Sequence, residues 1–156
     1  MLAVVLLFVA MLVQQPAPTA PPVAMNDLEK QFQETLTNAS LTGFFTVGDS
    51  AEARPDKYTI ENLTKIDAET WKFDARIQYG GRDYRASVNV PVKWAGETPV
   101  LTLSQYAIPG QGVFSARILI HNGMYAGTWG NPTTGGKMFG MVVKNDTAAA
   151  PTAPAR

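Results

Sequence analysis

The chain has 156 residues, the size of one domain, and 46% of them are apolar, enough to supply a core. Its 13 basic and 13 acidic residues cancel, so no long-range field gathers phosphate backbones or anionic lipid, and neither nucleic-acid nor membrane-surface binding is expected. The absence of cysteine excludes disulfides, a thiolate nucleophile, Cys-ligated zinc and a lipid-modified cysteine.

From Leu2 to Val13 every residue is apolar. As a helix this run spans about 18 Å, short of the roughly 30 Å hydrocarbon core, so no stable membrane span is expected. It suits the h-region of a secretory signal, with small residues from Gln14 to Ala24 and cleavage expected near Ala20 or Ala24. Residues 1–24 therefore read as signal peptide and Pro/Ala-rich tail, and 145–156 as a second Pro/Ala-rich tail that buries nothing. Within 25–40, Asn26 and Glu29 form a capping-box pair, and Leu28, Phe32 and Leu36 recur at spacing four. These predict a helix over Asp27 to Leu36 whose apolar stripe docks on the domain.

From Leu41 to Lys144 the period becomes two. Trp71, Phe73, Ala75, Ile77 and Tyr79 alternate with Lys72, Asp74, Arg76 and Gln78, and Gly80-Gly81 supplies a two-residue turn into Tyr84, Ala86, Val88 and Val90. Folding that turn pairs Ile77 with Tyr84, Ala75 with Ala86, Phe73 with Val88 and Trp71 with Val90, apolar against apolar throughout. Asn122-Gly123 closes a second hairpin, pairing Ile120 with Tyr125, Ile118 with Gly127 and Ala116 with Trp129. A loop over Asp67 to Thr70 pairs Ile66 with Trp71, Thr64 with Phe73, Ile60 with Ile77 and Tyr58 with Tyr79, which points Asn62 inward opposite Ala75. With Leu41 to Val47, Val100 to Leu103 and Met138 to Val143 the total is about eight strands in sequence. In the last of these the inward set is open between Met138, Gly140 and Val142 and Phe139, Met141 and Val143.

The expected fold is all-β, an eight-stranded antiparallel up-and-down barrel with a short N-terminal helix, because closure hides one apolar face per strand and removes edges. A two-sheet β-sandwich is the alternative, with Pro91, Pro99 and Pro109 marking places where the chain could change sheet. Ser40-Leu41-Thr42-Gly43-Phe44-Phe45 resembles the opening Gly-x-aromatic strand of calycins, the lipocalin, fatty-acid-binding and avidin group. Pro91-Val92-Lys93-Trp94-Ala95-Gly96, Ile108-Pro109-Gly110 and Tyr125-Ala126-Gly127-Thr128-Trp129 resemble a set of uncharacterised exported bacterial proteins. That resemblance implies export and a calycin-like barrel, and no activity.

Chemistry is sparse. His121, the one histidine, falls beside a turn on the polar face and is expected to be a solvated residue rather than a base. Asp49, Glu52 and Asp56 fall in the first loop, Asp67 and Glu69 in the second, and Arg76 faces Arg85 in an outer charge ladder. Gly135-Gly136-Lys137 lacks the strand-to-helix setting of a phosphate loop. No enzyme activity, metal or cofactor is expected. Interior aromatics of this size favour filling the barrel, while Gly127, Ala75 and Ala86 leave room. The expectation is a secreted or periplasmic binding protein for a small apolar or aromatic ligand, touched by Asn62, Trp71, Tyr84, Tyr125 and Trp129, with the N-terminal helix as a gate. The alternative is a structural, protein-interaction or inhibitor module acting through its outer surface on an unknown protein.

Overall fold

A computed structural model describes residues 22–145. The expected signal peptide, apart from its last residues, and all but the first residue of the C-terminal tail lie outside them.

The chain enters through helix α1 (Asp27–Leu36) and then runs through β1 (Ala39–Phe45), β2 (Arg54–Lys65), β3 (Thr70–Tyr79) and β4 (Arg82–Ala95). It continues through β5 (Thr98–Ile108), β6 (Gly112–His121), β7 (Met124–Gly130) and β8 (Gly135–Lys144). Each strand pairs antiparallel with the next, and β8 returns to β1, so the sheet is a closed eight-stranded barrel and not a sandwich. Pro109 sits in the β5–β6 turn, while Pro91 and Pro99 lie within strands and mark no change of sheet.

The two tight hairpins have the expected register, with Ile77 on Tyr84 and Ile120 on Tyr125. Gly80 and Gly81 both take positive φ (52° and 78°), as do Asn122 and Gly123 (48° and 71°), which is the backbone twist a type I′ turn needs.

The β2–β3 register differs from the expected one. Leu63 pairs with Phe73, Tyr58 with Ile77 and Asp56 with Tyr79, and a bulge separates Ile60 from Asn62. The extra residue lets Leu63 turn inward, where it is 1% exposed, and sends Asn62 and Thr64 to solvent. Burying Leu63 in place of an amide avoids the cost of desolvating a polar group without a partner. In β8 the inward set is Met138, Gly140 and Val142, leaving Phe139, Met141 and Val143 exposed.

Helix α1 has the expected bounds and capping box, Asn26 Oδ1 accepting from the Glu29 N–H at 2.9 Å and Glu29 Oε2 from the Asn26 N–H at 2.9 Å. It seals one end of the barrel. Phe32 meets Trp71 edge-on at 5.1 Å and Trp94 at 5.9 Å, and Leu36 is fully buried. Gln33 donates to the Leu63 carbonyl at 2.7 Å. The last turn of α1 has no basic residue of its own, and Lys144 from β8 donates instead to the Glu34 and Thr37 carbonyls.

Candidate functional site

Above the helix the barrel is not filled. A cavity of about 210 Å³ lies between Leu36 at the closed end and Phe45, Tyr79 and Tyr84 at the other. Its wall is almost wholly apolar, with Ile60, Phe73, Leu101 and Ile118 among the lining side chains and Ser115 a rare polar one.

The wall is also incomplete on one side. β4 and β5 are hydrogen-bonded only where Val92–Ala95 meets Thr98–Leu101. Beyond that ladder the ten residues Arg82–Pro91 of β4 pair with β3 alone, and Leu103 with Tyr106–Ile108 of β5 pair with β6 alone. Two side-chain bridges span the slot, from Thr102 Oγ1 to the Pro91 carbonyl at 2.9 Å and from Arg82 to Gln111 Oε1 at 2.8 Å. A bulge between Leu103 and Tyr106, with Gln105 at φ 46°, bends β5 at the same level. Tyr84, Leu103, Ile108 and Phe114 line the cavity and are all partly exposed, so it is unsealed here.

The five expected site residues divide. Tyr84 and Trp129 line the cavity. Trp129 meets Phe45 edge-on at 6.0 Å and donates its indole N–H to the Thr46 carbonyl at 3.0 Å. Trp71, 1% exposed, lies under Phe32 in the closed end and packs rather than lines. Tyr125, also 1% exposed, is part of the wall. Asn62 is outside, its amide donating to Thr64 Oγ1 at 3.2 Å, so it is no candidate ligand group. The helix that was expected to gate the cavity is its floor.

Tyr125 exposes what the sequence concealed. It pairs with Gly140, which pairs with Gly43, which pairs with Asp56. The ring lies flat across both glycines: a Cβ on Gly43 would stand 2.7 Å from the Tyr125 hydroxyl, and one on Gly140 would stand 2.7 Å from its ring. The hydroxyl thereby reaches Asp56 Oδ1 at 2.8 Å, two strands beyond its immediate neighbour. Asp56 is thus no loop residue. It is 4% exposed on the inner face of β2, beside cavity-lining Tyr58, and its Oδ2 has no hydrogen-bond partner. Burial pushes its carboxyl up from the usual carboxylate range, and the Tyr125 and Tyr58 hydroxyls hold it back only in part. Burial pushes the phenols of Tyr58, Tyr125 and Tyr84 up as well, so near neutrality they are uncharged hydrogen-bond donors. The alternation Asp56, Tyr58, Ile60 was the available signal, overridden by the habit of acids in turns.

His121 is exposed, with Nδ1 3.4 Å from the Thr98 hydroxyl. Arg76 faces Arg85 as expected, each held by an acid, Asp83 and Glu61. Among the described residues no three of His, Asp and Glu converge as metal ligands, and no helix is long and apolar enough to cross a membrane.

Comparison with known proteins finds no matching family model, no matching curated protein and no matching solved structure.

Proposed function

We propose that this protein is a non-catalytic secreted or periplasmic carrier that holds one small apolar or aromatic molecule inside the barrel. The observation that carries this reading is the apolar cavity of about 210 Å³ beside an incompletely paired β4–β5 wall. An apolar protein cavity of about 150 Å³ stays dry and accepts benzene, so this one suits a molecule somewhat larger. Its walls bury the ligand's apolar surface, and the neutral hydroxyl of Tyr58 or Tyr84 meets a single polar group. The resemblance of the first strand to calycins and of later segments to exported bacterial proteins supports the same reading.

The test is native mass spectrometry of protein taken from its own exported fraction, with Ala116→Phe as the comparison. Ala116 lines the cavity on β6, and a phenyl group there occupies the ligand's space. The expected outcome is a bound small molecule near one-to-one in the natural protein and its loss from a variant whose circular dichroism is unchanged. A bare mass, together with no response to a panel of small aromatic probes, removes the carrier reading. The alternative, an interaction module working through its outer surface, is favoured by the exposed apolar side chains Phe44, Phe139 and Met141.

A further inference from the structure

The zero net charge conceals a segregation. Outward side chains of β2, β3 and β4 carry paired charges, Arg76 with Asp83, Arg85 with Glu61 and Lys72 with Asp74. β1, β6, β7 and β8 contain no acidic residue. On that side the cross-strand register lines up an outward belt that is apolar on six successive strands: Pro55, Phe44, Phe139, Ala126, Leu119 and Val100. Phe44 and Phe139 are each 46% exposed, with ring centres 6.2 Å apart. One step along the strands, Met141 and Met124 extend the apolar surface, 51% and 50% exposed. One step the other way, about 7 Å from the belt, stand Arg117 and Lys137, joined in register through Thr128. Lys57 flanks the Met141 row across Thr42. Among the described residues Arg117, Lys137 and Lys57 have no ion-pair partner. Asp56, next to Lys57, points into the barrel, and among the described residues Asp49, Glu52 and Glu97 lie in loops beyond the strand ends, Glu52 already facing Arg54 at 3.7 Å.

We propose that this wall, centred on β7, β8 and β1, docks on an anionic lipid surface. Phe44, Phe139, Met141 and Met124 enter the boundary between headgroups and acyl chains, and Lys137, Arg117 and Lys57 meet the lipid phosphates. The charge pattern selects this occupant. A second copy seated on the same wall would set cation against cation with no acid from these strands between them, whereas anionic headgroups answer every charge present. Local attraction of this kind needs no net charge, because it acts within a Debye length of about 8 Å. The wall is distinct from the cavity, so docking and ligand carriage stand or fall separately.

The natural chain lacks cysteine, so one introduced thiol reports one position. The experiment places an environment-sensitive fluorophore on Met141→Cys or, on the opposite wall, on Arg85→Cys, whose native side chain is 74% exposed. Each labelled full-length protein is mixed with phosphatidylcholine vesicles, with and without phosphatidylglycerol, carrying a lipid-borne quencher. The expected result is a blue-shifted, quenched signal from position 141 with anionic vesicles only, and a water-like signal from position 85. Combining Lys137→Glu with Arg117→Glu should weaken that response at least roughly 30-fold. Contact spread evenly over the barrel surface would not distinguish the two positions. Equal response at both positions, none at either, or a 141 signal already shielded in lipid-free protein through self-association would overturn the proposal.

Discussion

Asp56 and Tyr125 show how one hydrogen bond depends on residues that make none. The bond requires two glycines in register on adjacent strands, because any side chain at Gly43 or Gly140 would occupy the tyrosine's path. Removing the hydroxyl with Tyr125→Phe leaves the buried carboxyl with only the Tyr58 hydroxyl beside it and should cost about 1–3 kcal/mol near neutral pH, measured by urea denaturation. The pH dependence has a definite sign. The folded pKa of Asp56 lies above its ordinary 3.8, so between those two values the native state binds more protons than the unfolded chain. Its contribution is complete below 3.8 and declines as pH rises through the folded pKa. Asp56→Asn should flatten that decline, and Tyr125→Phe should extend it to higher pH. An unchanged pH profile in Asp56→Asn would place the titrating group elsewhere. The inward position of Tyr125 was legible from the Asn122-Gly123 hairpin; its partner, far along the chain, was not.

Helix α1 was the most legible element, since cap, stripe and length are all local. Its seat was not legible. Lys65 and Glu29 meet at 2.7 Å with side chains only 8% and 9% exposed, and Lys65 also donates to the Ala24 carbonyl at 3.0 Å. Burial pushes the Glu29 carboxyl up, but hydrogen bonds from Lys65 and the Asn26 backbone outweigh it and hold it below its ordinary range. Breaking such a pair from one side strands a buried charge. Lys65→Met should therefore destabilise by about 3–5 kcal/mol, while the double change with Glu29→Leu should recover most of the loss. Equal costs for the single and double variants would mean that the Lys65–Glu29 pair carries no coupling and that the helix is held by its other contacts. The β2 bulge belongs to the same scale. Alternation alone favoured Asn62 and Thr64 inward, and the apolar core overrode it by inserting one residue so that Leu63 could be buried.

For the molecule as a whole, the decisive feature is that the barrel closes by hydrogen bonds at β1–β8 but is only partly zipped at β4–β5. Amides of β4 between Arg82 and Val90 that point away from β3, and those of residues 103–107 that point away from β6, lack ladder partners across the slot. They should exchange hydrogen far faster than the amides within the β3–β4 ladder, as read by hydrogen-exchange mass spectrometry. A bound cavity ligand should slow them. Uniform protection around the barrel would close this route to the cavity. The sequence by itself determined the helix, the two tight hairpins, about eight strands and an all-β fold, with a closed barrel preferred to a sandwich. Each follows from a local period, a cap or a turn in which a slip of one residue exposes apolar side chains. Only the tertiary structure decided that Asp56 is buried, that Asn62 is not, that β8 turns Phe139 and Met141 outward, and that charged and apolar outer walls stand on opposite sides. Those outcomes depend on which strands become neighbours across long stretches of chain and where a bulge shifts their register. Local alternation gives two faces to every strand, but only closure decides what each face meets.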